Sequence, residues 1–76
     1  MEINGTIYVH PATLKRIKSG NMQPIVTRYE VDVGDIVEVM DDDEVSSVIT
    51  KVKSVRKVAV GLYQVELNDP ATAFVE

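Results

Sequence analysis

The sequence predicts an α+β domain, a small, mostly antiparallel β-barrel or strongly curled sheet with one short N-terminal helix. Three observations predict it. Short β-branched and aromatic runs recur along the chain with turn residues between them, as at Ile25 to Val31, Ile36 to Met40 and Leu62 to Leu67. Only one stretch, Pro11 to Ser19, is punctuated as a helix, with Pro at its first position and Gly20 after it. The run V-D-V-G-D-I-V-E-V-M from Val31 to Met40 sets Gly34-Asp35 between two apolar runs. Gly admits a positive φ and Asp can bond nearby amides, so this is a tight turn delivering the chain into a strand.

Taken in order, a first strand is expected from about Thr6 to Val9, ended by His10-Pro11. In the helix that follows, Leu14 and Ile17 are three apart and supply the core-facing contacts, while Lys15, Arg16 and Lys18 lie on its flanks or outer face. So short a helix must dock on the sheet. From Ile25 to Val31 the chain alternates, with Ile25, Thr27, Tyr29 and Val31 on one face. After the Gly34-Asp35 turn and the strand Ile36 to Met40, the acidic run Asp41 to Glu44 reads as an exposed hairpin loop. A bent strand is expected over Val45 to Val55, with Val48, Thr50 and Val52 pointing one way, then strands at Val58 to Val60 and Leu62 to Leu67 separated by a bend at Gly61. Asn68-Asp69-Pro70 stops the sheet, and the apolar segment Ala71 to Val75 is the expected place for a second copy to pair in a homodimer.

Composition bounds the rest. A domain of 76 residues buries only about 60% of its unfolded surface, so the core is thin. With no Cys and one His, disulfides and a structural zinc site are excluded. Apolar residues at 45% and charged residues at 26% are the mixture of a folded domain. No apolar run approaches a membrane span and the N-terminus lacks a signal-peptide pattern, so a cytoplasmic location is expected by default, without a membrane partner.

The net charge of -4 conceals segregated blocks. Lys15, Arg16, Lys18 and Arg28 form a basic block; Glu30 to Glu44 holds eight acids and no base; Lys51 to Lys57 is basic again. If the basic blocks meet, they form a positive patch able to hold phosphate. Alternatively, acidic and basic blocks neutralise one another across neighbouring strands.

Several chemistries can be weighed from residue types. His10, before Pro11 at a strand-to-helix junction, reads as a capping or surface residue rather than a catalytic one. Asp41 to Glu44 invites a calcium reading, but the loop template fails. Val45 stands at position five, Ser46 where Gly is needed, and Val52 where a bidentate Glu is needed. No metal or other cofactor is therefore expected. P-loop and dinucleotide glycine patterns are absent. Tyr8, Tyr29, Tyr63 and Phe74 are the only aromatic residues, too few for a broad base-stacking platform.

The order of a strand, then H-P-x-x-L-x-x-I-x-S-G (His10 to Gly20), a polar segment ending in Arg28, V-G-D-I-V-E-V (Val33 to Val39) and V-I-T-K-V-K-S-V-R (Val48 to Arg56) resembles the ASCH-type domains of the PUA-like superfamily over about residues 6 to 67. The resemblance implies a PUA-like barrel with the first helix beside a cleft, and a role in binding RNA or modified nucleosides. Some ASCH-type enzymes hydrolyse N4-acetylcytidine with a Lys and a Thr of a G-x-K-T-x-T-x-R segment and a Glu from a later insertion. Here that segment is G-N-M-Q-P-I-V-T-R, without the Lys and one residue longer, and the chain has no room for the insertion. No catalytic residues carry over, and the expectation is a module that is not an enzyme.

Two functions follow. One is a non-catalytic RNA- or nucleotide-binding module, with Lys18 and Arg28 near the helix-flanked cleft and Lys53 and Arg56 extending it. The other is a small acidic interaction module, a regulator or phage-type inhibitor, whose face from Asp32 through Glu44 engages a basic protein.

Overall fold

In the computed structural model, which describes residues 2–75, five strands and one helix follow one another as β1 (Gly5–Val9), α1 (Pro11–Lys18), β2 (Ile25–Thr27), β3 (Ile36–Asp41), β4 (Ser47–Ala59) and β5 (Leu62–Leu67). The fold is α+β, a five-stranded curled sheet with the order β1-β3-β4-β5-β2 that forms a half-barrel. The β1–β3 pair is parallel and the other three pairs are antiparallel. The crossover through α1 separates β1 from β2, and these two strands end the sheet at opposite edges.

The curl comes from β4. Ser47 to Lys51 pair with β3, whereas Val52 to Ala59 pair with β5, and the register shifts between Val52 and Ser54. A bulge there bends the strand and increases its twist, so the sheet folds into two layers, β1–β3–β4 and β4–β5–β2. Their inner faces enclose Ile7, Val37, Val39, Val52, Ile25, Val65 and Leu67, with Leu14 and Ile17 of α1 closing the core. Burying a side chain of this size stabilises by roughly 1.5–3 kcal/mol, which is what holds an eight-residue helix in place. Thr50, fully buried between the layers, donates its hydroxyl to the Asn68 carbonyl.

Both ends of α1 are fixed locally. Pro11 occupies its first turn, and His10 Nδ1 accepts from Ala12 N at 3.1 Å. At the C-terminus, Asn21 N donates to Arg16 O and Gly20 N to Ile17 O, both at 3.1 Å. Gly20 at φ 87° supplies the left-handed residue that this closure needs.

The turn at Gly34-Asp35 forms as the sequence predicts. Gly34 has φ 89°, and Asp35 Oδ2 accepts from Asp32 N at 2.9 Å. Gly34 N donates to Val52 O and Val52 N to Asp35 O, both at 2.9 Å, so the turn clamps β4 where its partner changes.

Two differences from the sequence reading have physical causes. β2 stops at Thr27 rather than Val31, because the Thr27 hydroxyl accepts from Tyr29 N at 3.1 Å and turns the chain out of the strand. The strands expected at Val45 to Val55 and Val58 to Val60 are one continuous β4, since the register shifts bend the ladder without breaking it. After the sheet, residues 70–74 form turns, with Thr72 N donating to Asp69 O and the Phe74 ring 5.3 Å from Lys51 Nζ. Among the described residues no helix is long and apolar enough to cross a membrane.

Candidate functional site

Because β1 and β2 end the sheet, each leaves one edge unpaired, and α1 runs between them. A cleft of about 320 Å³ opens there, lined by Tyr8 and Val9 of β1, His10, Thr13 and Arg16 at and along the helix, and Pro24, Ile25 and Val26 at the start of β2. Leu14 and Ile17 face the core. Thr13 and Arg16, one turn apart, are thereby turned to the side of the helix that walls the cleft.

Arg16 is the cation of this cleft. Its Nε is buried and has no hydrogen-bond partner. A buried guanidinium nitrogen without an acceptor is costly, and because the Arg16 side chain also lines the cleft, its other guanidinium nitrogens are the donors an anionic oxygen entering there would meet. His10 uses Nδ1 to cap the helix and still lines the same space. Thr13 lines the same space beside Arg16, and Tyr8, whose hydroxyl is turned to Glu44, borders it.

The two rims differ electrostatically. Tyr8 Oη donates to Glu44 Oε1 at 3.3 Å and its ring meets Tyr29 at a centroid distance of 6.2 Å. The Glu44 carboxylate, with smaller contributions that include Glu38, holds the Tyr8 phenol above its ordinary pKa of 10.0. The β2 rim carries Val26, which is 60% exposed.

The four site residues named from the sequence fall elsewhere. Lys18 donates to Ser46 Oγ beside a smaller cavity of about 190 Å³, between α1 and the β3–β4 turn. Arg28 lies exposed in the bend after β2. Lys53 is exposed at the β4 bulge, and Arg56 lies further along the same strand with Nη2 donating to Gln64 Oε1 at 3.2 Å. None of the four lines the larger cleft, and the basic blocks do not converge there. Arg16 was visible in the first block, and its spacing from Thr13 beside the core pair Leu14 and Ile17 was the signal that could have singled it out.

The acidic run divides. Asp41 is buried at the end of β3, where its Oδ1 accepts from Val45 N at 2.9 Å, while Asp42, Asp43 and Glu44 are exposed. Among the described residues, no group of three His, Cys, Asp or Glu side chains is placed to hold a metal ion.

No family model, no curated protein and no solved structure matches this chain.

Proposed function

We propose that this chain is a non-catalytic RNA- or nucleotide-binding module of the ASCH type, within the PUA-like superfamily, that holds its ligand in the cleft between β1, α1 and β2. The observation that supports the reading is Arg16, the one Arg or Lys side chain among the residues lining that cleft. A curled sheet with its first helix beside a cleft is also what the sequence resemblance implies. Binding is favoured over catalysis because the Lys of the amidohydrolase segment is missing between Gly20 and Arg28.

Calorimetric titration with nucleoside monophosphates and short RNA, at low and moderate salt, tests this. Binding is expected to weaken with salt, and Arg16→Gln to lower affinity about tenfold, the loss typical of a hydrogen bond to a charged group. Equal affinity in the variant, or no salt-sensitive binding, would count against the reading.

A second reading rests on the exposed carboxylates of Asp42, Asp43 and Glu44, gathered in the turn at the opposite end of β4 from Arg56 and Lys57. It makes the domain an acidic module that engages a basic protein. Asp42→Asn with Asp43→Asn would then slow association with that protein, most at low salt; an unchanged rate would remove the support.

A further inference from the structure

Beyond the cleft, the sheet register lays out a path. Val26 pairs with Gln64, and Gln64 pairs with Arg56, so these three residues form one row across β2, β5 and β4 on the face turned away from the core. The row begins at the cleft, because Val26 lines it. It ends at Arg56, on a strand two spacings, about 10 Å, from β2. Gln64 Oε1 accepts from Arg56 Nη2 at 3.2 Å, which draws the Arg56 head towards β5 and leaves its other N–H groups for a further acceptor.

We propose that the cleft's ligand is a single strand of nucleic acid rather than a lone nucleotide, and that the strand leaves the cleft across Val26 and Gln64 to set a second phosphate on Arg56. The inference rests on the cleft being a nucleotide site. Arg16 offers the first anion contact inside the cleft, and Arg56 presents a planar fork suited to bidentate phosphate contact outside it. Between them, exposed Val26 supplies apolar surface for a base or ribose. The opposite exit, over β1, is closed to a polyanion. There Tyr8 is bonded to Glu44, and Glu38 adds to the negative charge that Tyr8 feels. On the chosen side the acid is Glu66, which pairs with Ser54, diagonal to Arg56. It confines the strand to the side of the row nearer the hairpin tip, where Val58 is exposed.

The test compares a labelled hexaribonucleotide of mixed sequence with the four nucleoside monophosphates as competitors, by fluorescence anisotropy. Wild type, Arg56→Gln and the control Lys15→Gln are measured at several salt concentrations. The hexamer is expected to bind at least about tenfold tighter than the monophosphates. Arg56→Gln is expected to erase most of that difference, to leave monophosphate affinity unchanged, and to reduce the salt slope by about 0.7, the value for one phosphate contact on a single strand. Lys15→Gln should do none of this. If monophosphates bind and the hexamer binds no tighter, or if both Lys15→Gln and Arg56→Gln cause the same loss, the inference falls and the cleft reading stands. If neither ligand binds, the cleft reading falls and takes the inference with it.

Discussion

The two layers that share β4 are built differently, and the difference separates residues that hold the fold from residues free to meet a ligand. In the β1–β3–β4 layer, Ile7, Val37 and Val39 are fully buried, and the acidic turn after β3 is tied down at three points. Asp41 Oδ1 accepts from Val45 N, Asp42 N donates to Val9 O at 3.0 Å, and Tyr8 Oη donates to Glu44. In the β4–β5–β2 layer, β4 beyond Val52 pairs with β5 alone, and its hairpin ends at Val60, which is 96% exposed. Part of the acidic run is therefore structural, whereas Arg56 and Lys57 project from a lightly anchored ribbon. The candidate cleft lies between the free edges of these two layers.

Ile7→Ala should produce the largest contrast, costing about 2–5 kcal/mol, while Val58→Ala in the hairpin should change stability by no more than about 0.5 kcal/mol. Urea unfolding of both variants checks this, and similar losses would mean that the layers are equally consolidated. Within the acidic run, Asp41→Ala should cost about 1–3 kcal/mol by removing the acceptor for Val45 N. Asp43→Ala, at an exposed position, should stay within about 0.5 kcal/mol.

Much of this architecture was legible in the sequence, because its signals are local. Pro11, Gly20 and the Leu14–Ile17 spacing delimit α1 to within one residue, and β5 runs over Leu62–Leu67 as its alternation predicts. Thr50 and Val52 share one face as expected, and it is the buried one. What stayed hidden depends on pairing. The continuity of β4 is a property of its two partners, and the early end of β2 depends on a Thr27 hydroxyl bond that alternation does not register. The cleft was the least legible feature, since it exists only because β1 and β2, separated by α1 in sequence, become the two edges of one sheet. Charge-block reasoning pointed to Lys18, Arg28, Lys53 and Arg56, but a block does not say which of its cations the fold turns inward.

The two turns flanking β4 also differ in backbone strain, and that can be used. Gly61 adopts φ 68° in the basic hairpin and Glu44 adopts φ 57° in the acidic one. Gly61→Ala should cost about 1–2 kcal/mol, since an L side chain there meets the following carbonyl. Glu44→Gly should be neutral within about 0.5 kcal/mol, the relief of its strain offset by the lost bond to Tyr8.

The smallest effect is a titration. Removing the neighbouring charge with Glu44→Gln should bring the Tyr8 phenol down towards its ordinary 10.0, read from tyrosinate absorbance. With the folded value raised, the unfolded chain loses this proton first, so the contribution of Tyr8 to stability is present below pH 10.0 and disappears as pH rises through the folded value.

The central claim is that ligand binding belongs to the cleft between the two free sheet edges. A two-dimensional amide NMR titration with a short single-stranded RNA at low salt tests it most directly. The account predicts salt-sensitive shifts at His10, Thr13, Arg16, Ile25 and Val26, with Asp42 to Glu44 unmoved. An unchanged spectrum, or shifts confined to the acidic turn, would contradict it.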